Sequence, residues 1–317
     1  MAIRLVTPLL FCFATMPAAL LAQEATTENK DSAPQSISVH VERNLRYSDQ
    51  KGRAGRCDVY HPSSPPPPPG HPMVIVVHGG AWISGDKWTL EGYSRLLANN
   101  GIIAITINYR LAPTHKFPCQ VDDVRQAMLW TAENAKEWNG DVNRIGIFGY
   151  SAGGHLSALV ATLADEPIDV RSTASHWPPN DPRWSKLPKI KALCAGGPPC
   201  NFQRLPIDNT TLAYFLGGSR RDQPETYVAA SPIAHVSATD PITQIIQGEA
   251  DVLVPIAGSR AFHEAQQSAG VESRFLVIEK QGHMLTFLNP QTSKAMADFF
   301  KEVLFDSKDK ADFNETP

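Results

Sequence analysis

Six short apolar runs, rich in β-branched residues and interleaved with stretches of helical periodicity, set the tightest limit on how this chain can fold. They are MVIVVH (73–78), IIAITINY (102–109), RIGIFG (144–149), KIKALCAGG (189–197), ITQIIQG (242–248) and SRFLVIE (273–279). Unbroken hydrophobicity over so few residues suits strands buried on both faces of a parallel sheet. The intervening segments LEGYSRLLANN, QVDDVRQAMLWTAENAKEW, SAGGHLSALVATLAD, IAGSRAFHEAQQSAG and SKAMADFFKEVLF carry the helical pattern. Strand and helix in alternation imply right-handed crossovers around an open sheet. Upstream, ISVHVERNLRYS alternates with period two, as an exposed antiparallel strand does, and RCDVYHP supplies its partner. The expected fold class is therefore α/β, a mostly parallel twisted sheet of about eight strands with helices on both faces. The proline run SSPPPPPG fits a stiff surface connection.

No repeat or second composition regime interrupts residues 37–306, which predicts a single domain with a polar tail at 307–317. Before it, Arg4 is the only charge ahead of an apolar stretch, Leu5 to Leu21, and Ala22 offers a small residue for cleavage. This pattern predicts a signal peptide at 1–22 and a secreted or periplasmic location. A retained anchor is the competing reading, weakened by Pro8 and Pro17. Residues 23–36 form a polar, aperiodic lead-in, expected to be flexible. Cys12 would leave with the signal. Cys57, Cys119, Cys194 and Cys200 then allow either two disulfides, Cys194–Cys200 being the easiest to close locally, or buried free thiols.

A net charge of −3 gives no electrostatic reason to expect nucleic acid or, after signal cleavage, a membrane as partner. A neutral small-molecule substrate fits better, and the oligomeric state stays open.

In open α/β sheets, ligands bind at the carboxyl ends of the strands, so chemistry should directly follow the apolar runs. Ser151 does so, inside Gly149-Tyr150-Ser151-Ala152-Gly153. G-x-S-x-G between a buried strand and a helix is the strained turn of a nucleophilic serine, with glycines where side chains would collide. A serine hydroxyl needs a base. His283, directly after the run SRFLVIE and beside Gly282, is the best placed of ten histidines. His263 falls within a helical pattern, and His155 lies one turn into the nucleophile helix, where packing or hydrogen bonding is expected. The acid that would fix the imidazole should end the preceding strand, where Glu249 and Asp251 compete. Asp251, farther into the loop and ahead of VLVP, is preferred, with Glu249 solvated or structural. An oxyanion hole is expected from the backbone N–H groups of Gly79, Gly80 and Ala152, with His78 as a scaffold for the loop.

HGGAWISGDK, NYRLAPTHKFPCQVDDVRQAMLW, RIGIFGYSAGGHLSALVA and QGEADVLVP, in this order, resemble the α/β-hydrolase superfamily. Together they look like its carboxylesterase branch, which includes hormone-sensitive-lipase-like esterases and bifunctional feruloyl and acetyl esterases acting on plant xylan. The resemblance runs from about Val59 to Phe300. It implies a serine esterase with Ser151, Asp251 and His283 as catalytic residues, no metal or organic cofactor, and an ester or acylated carbohydrate as substrate. Ala81 replaces a third glycine common in the lipase-like enzymes, and the lead-in is too polar and short for their helical cap. Both departures favour the xylan-esterase-like branch. An arylformamidase-like amide hydrolase and a non-catalytic binding module on the same scaffold remain alternatives.

Substrate contacts are expected from Trp82 and Tyr150 beside the loops, and from Trp177 and Trp184 in the long segment 166–189, where aromatic faces would stack on sugar or feruloyl rings. The same tryptophans could instead pin that segment to the body. GGPPCNFQRL, after the run at 189–197, has no chemical explanation at this level.

Overall fold

The computed structural model describes residues 39–205 and 209–305. The expected signal peptide, lead-in and polar tail lie outside the described residues.

Each expected strand forms: β1 (His40–Arg46), β2 (Arg56–His61), β3 (His71–Val77), β4 (Ile103–Ile107), β5 (Gly140–Tyr150), β6 (Ile190–Gly196), β7 (Ile242–Gly248) and β8 (Ser273–Ile278). They make one sheet in the order β1-β2-β4-β3-β5-β6-β7-β8. β1 pairs antiparallel to β2, and β2 to β4; all other pairs are parallel. Val77 pairs with Ile107 on one side and Gly149 on the other, so the three central strands end level with one another. At the outer edge, the β1 register shifts between Glu42 and Leu45, and Asn44 takes a positive φ of 59°. Such a bulge blunts an exposed edge against pairing with another chain.

Nine α-helices accompany the strands among the described residues, seven between strands and two after β8: α1 (Glu91–Asn99), α2 (Cys119–Asn134), α3 (Ala152–Thr162), α4 (Ile168–Thr173), α5 (Thr210–Leu216), α6 (Pro224–Ala229), α7 (Ile256–Ser268), α8 (His283–Leu288) and α9 (Pro290–Leu304). The strand period of two sends alternate side chains to opposite layers. Met73, Ile75 and Val77 pack with Val124 of α2, Leu156 of α3 and Phe262 of α7. Val74 and Val76 pack with Leu97 of α1 and Met296 and Phe300 of α9. Both faces are covered, which is why the central strands show no polar alternation. Each fully buried Val or Ile contributes about 1.5–3 kcal/mol relative to exposure.

The five expected helices correspond to α1, α2, α3, α7 and α9. The other four have only six or seven residues, too few turns for a 3.6-residue repeat to register. All four cysteines of the described chain are free thiols. Cys194 and Cys200 belong to the cores on opposite faces of the sheet, so the local pair cannot close.

Candidate active site

β5 delivers Ser151 into a sharp turn. The residue sits at φ 58°, ψ −122° as the N-cap of α3, a conformation costing of order 1–3 kcal/mol outside glycine. Two bonds hold it there: Ser151 N–H donates to the Gly196 carbonyl on β6 at 2.7 Å, and His155 N–H donates to the Ser151 carbonyl at 2.9 Å. A Cβ on Gly153 would fall well inside contact distance of the Val77 and His78 carbonyls, and one on Gly149 would strike the Gly153 carbonyl. Glycine at both ends of the turn thus lets α3 press directly onto the end of β3. The Ser151 hydroxyl makes no capping bond to its own helix and lines an open cleft.

His283 begins α8 and lines the same cleft. Its Nδ1–H donates to Asp251 Oδ2 at 2.6 Å, which leaves Nε2 without a proton and able to take one. Asp251, in the loop after β7, is buried and fully occupied. Oδ1 accepts from the N–H groups of Leu253 and Val254, and Oδ2 also accepts from Gln247 Nε2. Buried Gln247 is itself fixed, donating to the Val254 carbonyl and accepting from Ser259. Glu249 is occupied elsewhere, accepting from the backbone of Lys280. Tyr150 lines the cleft and donates its phenol to the His283 carbonyl at 2.7 Å, steadying the backbone of that residue.

The opposite wall is the loop after β3. Gly80, Ala81 and Trp82 take consecutive positive φ angles of 116°, 54° and 62°. His78 Nδ1 lies 2.7 Å from the Gly79 carbonyl, and its ring stacks on Tyr109 with centroids 4.3 Å apart. Tyr109 in turn donates to the His78 carbonyl. Gly79, Gly80 and Ala152 all line the cleft. Among the described residues, no turn or loop carbonyl accepts from their N–H groups. At a helix N-terminus such free donors favour developing negative charge.

Trp82 also lines the cleft, but its indole is committed to the protein. It stacks on Phe215 at 4.6 Å and donates Nε1–H to His155 Nδ1 at 3.1 Å. His155 therefore carries its proton on Nε2, which donates to the Ala230 carbonyl. Burial pushes this imidazole down to about 4. Above pH 6.5 His155 is neutral whether folded or unfolded, and its packing contribution is complete. Between pH 6.5 and 4 the unfolded chain takes up a proton that the folded chain refuses, and about 3 kcal/mol is lost. Replacing His155 by Gln should therefore shrink the stability lost between pH 7 and pH 4 by about this amount. Urea unfolding at the two pH values checks it, and parallel losses in both proteins would refute it.

Trp177 and Trp184 are not brought to this cleft; their expected role in substrate contact is corrected by the structure. Both are buried in a satellite cluster with Leu129. The Arg125 and Arg171 guanidinium groups lie 4.9 Å from the Trp184 ring, and Arg183 lies 4.1 Å from that of Trp177. Their faces are thus spent on cations, and the segment is pinned to α2. Trp184→Ala should lower stability by about 3 kcal/mol and leave kcat/KM for a soluble ester unchanged; a raised KM with unchanged stability would reverse this reading.

Residues that sequence reasoning missed make up most of the remaining wall. Pro199, Cys200, Asn201 and Arg204 come from the unexplained GGPPCNFQRL segment, Thr211 and Leu212 from α5, and Leu253, Val254, Met284 and Phe287 flank Asp251 and His283. The cleft has a volume of about 740 Å³, and among the described residues Arg204 and His283 are its only ionisable side chains besides Tyr150 and Cys200. Their only signal in sequence is proximity to the ends of β6, β7 and β8.

The profile of the BD-FAE family matches residues 57–266, from β2 into α7, which hold the serine turn, the glycine loop and Asp251. The chain belongs to the BD-FAE family. This BD-FAE chain is 29% identical over 264 residues to esterase LipC of Mycobacterium tuberculosis, covering 74% of this chain and 61% of that protein. Esterase LipQ of the same organism is 31% identical over 231 residues, 69% of this chain and 51% of that protein. The chain thus spans about half to three fifths of the length of these curated relatives. Among solved structures, a truncated form of a carbohydrate esterase from gut microbiota matches with a TM-score of 0.74 at 26% identity, over 85% of this chain and 98% of that one. The sheet order and these likenesses together establish the α/β-hydrolase fold.

Proposed function

We propose that the chain is a serine carboxylesterase that hydrolyses short-acyl or aromatic esters, including acetyl and feruloyl esters of carbohydrate. The observation that carries this reading is the buried Asp251–His283 pair opening on the same cleft as Ser151 in its strained turn. The Ser151 oxygen attacks the ester carbonyl as its proton passes to His283 Nε2. The carbonyl oxygen gains negative charge, which the N–H groups of Gly79, Gly80 and Ala152 stabilise by about 3 kcal/mol per donor. The tetrahedral intermediate collapses, His283 returns the proton to the leaving alcohol, and an acyl-serine remains. Water then attacks that acyl group with His283 again as base, releasing the acid and restoring the hydroxyl. The cycle closes on side chains, backbone and water.

The carbohydrate part of the proposal leans on the solved relative described as a carbohydrate esterase. Export leans on the Arg4 and Leu5–Leu21 pattern. A fluorophosphonate probe tests the core of the reading: the Ser151 oxygen should displace fluoride and form a phosphonyl ester on that residue, abolishing turnover. Labelling elsewhere, or none, would remove the nucleophile. A panel of acetylated xylan, methyl ferulate, butyrate esters and N-formylkynurenine then separates carbohydrate, aromatic, short-acyl and formamide substrates.

A further inference from the structure

Seven large apolar side chains in the described chain are more than half exposed, and every one sits on a segment that also lines the cleft. Val252 and Leu253 directly follow Asp251, with Val252 87% exposed. Met284, Leu285 and Leu288 follow His283 on α8. Their spacing puts these three on one side of the helix, opposite His283 and Thr286, which are buried. Trp88 precedes Thr89 and Leu90 of the cleft wall, and Tyr214 shares α5 with Leu212. The loops after β7 and β8 are tied together by the Ala250 N–H to Gln281 carbonyl bond and by the Asp251–His283 pair. Their five apolar side chains therefore form one surface, continuous with the cleft through Leu253 and Met284.

Exposed large apolar side chains gathered beside a cleft mark an interaction surface. Because it borders the mouth above Ser151, a permanent protein occupant would stop substrate entering. Two copies packed collar to collar would close both mouths. The chain's own lead-in, QEATTENKDSAPQS, offers only two alanines and a proline as apolar cover. An occupant that itself carries the ester has neither difficulty, and the five collar side chains, all apolar although Glu249, Glu279 and Lys280 are exposed in the same two loops, match an uncharged one. Resting on the esterase reading above, we propose that the physiological ester is presented in an assembled, uncharged lipid-like surface, on which the collar sits while single ester molecules pass into the cleft.

Tributyrin, a neutral short-acyl ester of limited solubility, provides the test. The native chain should show a rate that climbs again above the solubility limit, where an emulsion forms. The double variant Leu285→Gln, Leu288→Gln touches two exposed side chains outside the cleft wall. It should keep native turnover of dissolved p-nitrophenyl acetate and lose the second climb. In flotation assays with tributyrin droplets the native chain should rise with the droplets, and the variant should bind about tenfold more weakly. A plateau at the solubility limit together with equal flotation of both proteins would overturn the proposal. So would a native dimer, dissociated by the double substitution, with no emulsion response. If p-nitrophenyl acetate is not hydrolysed, the esterase reading has failed, and flotation still decides the collar. If it is hydrolysed without an emulsion response, only the collar has failed.

Discussion

Ser151→Ala is expected to lower kcat/KM for p-nitrophenyl acetate by about 10⁴- to 10⁶-fold while the protein stays folded. The size of the loss follows from the covalent route: without the hydroxyl no acyl-serine forms, and only the oxyanion donors and ground-state binding continue to act on water attack. Folding should survive because the hydroxyl caps nothing, and the turn is held by backbone bonds to Gly196 and from His155 that alanine retains. Alanine inherits the positive φ, so the strain remains. Steady-state kinetics and circular dichroism read the two halves of this expectation. Activity within tenfold of native in a folded variant would show that Ser151 is not the nucleophile.

Asp251→Asn should cost about 10⁴-fold in kcat near neutral pH, and it should also destabilise the fold. The carboxylate accepts four hydrogen bonds and donates none: two from the backbone at Leu253 and Val254, one from Gln247 and one from His283. An amide must turn its NH₂ toward one pair of these donors. Facing the backbone, it leaves buried N–H groups unpaired at about 1–3 kcal/mol each. Facing His283, it forces the imidazole to accept at Nδ1 and to carry its proton on Nε2, so Nε2 can no longer act as the proposed base. Gln247 cannot readily reverse its own amide, because Ser259 and the Val254 carbonyl hold both ends. The matched control is Glu249→Gln, whose carboxylate accepts from the Lys280 backbone and which should retain nearly full activity. The reverse ranking of the two variants would transfer the acid role to Glu249.

What could be read in the sequence, and what could not, divides along a physical line. Strands expected to be buried on both faces leave continuous apolar runs, which made six visible, while β1 showed through its alternation and β2 as its partner. That Ser151 and His283 would line one cleft, with Asp251 bonded to His283, was legible because a strand end fixes where a side chain can emerge. The cleft wall was not, because Leu212, Pro199 and Phe287 contribute shape alone, and shape leaves no periodic trace. Trp177 and Trp184 misled for a related reason. An aromatic residue in a proline-rich loop has the same sequence signature whether its face meets a ligand or, as here, a guanidinium from the protein's own helix α2.

The contact between Gly153 and the carbonyls at the end of β3 has a consequence for how such an enzyme can diversify. It joins the Ser151 turn and the glycine loop after β3 into a single corner, so neither can drift without the other. Novelty in substrate choice must then arise from segments outside that corner: the stretch following β6, helix α5, and the two exposed turns beyond β7 and β8. An engineer seeking new specificity should randomise those segments and leave the corner untouched.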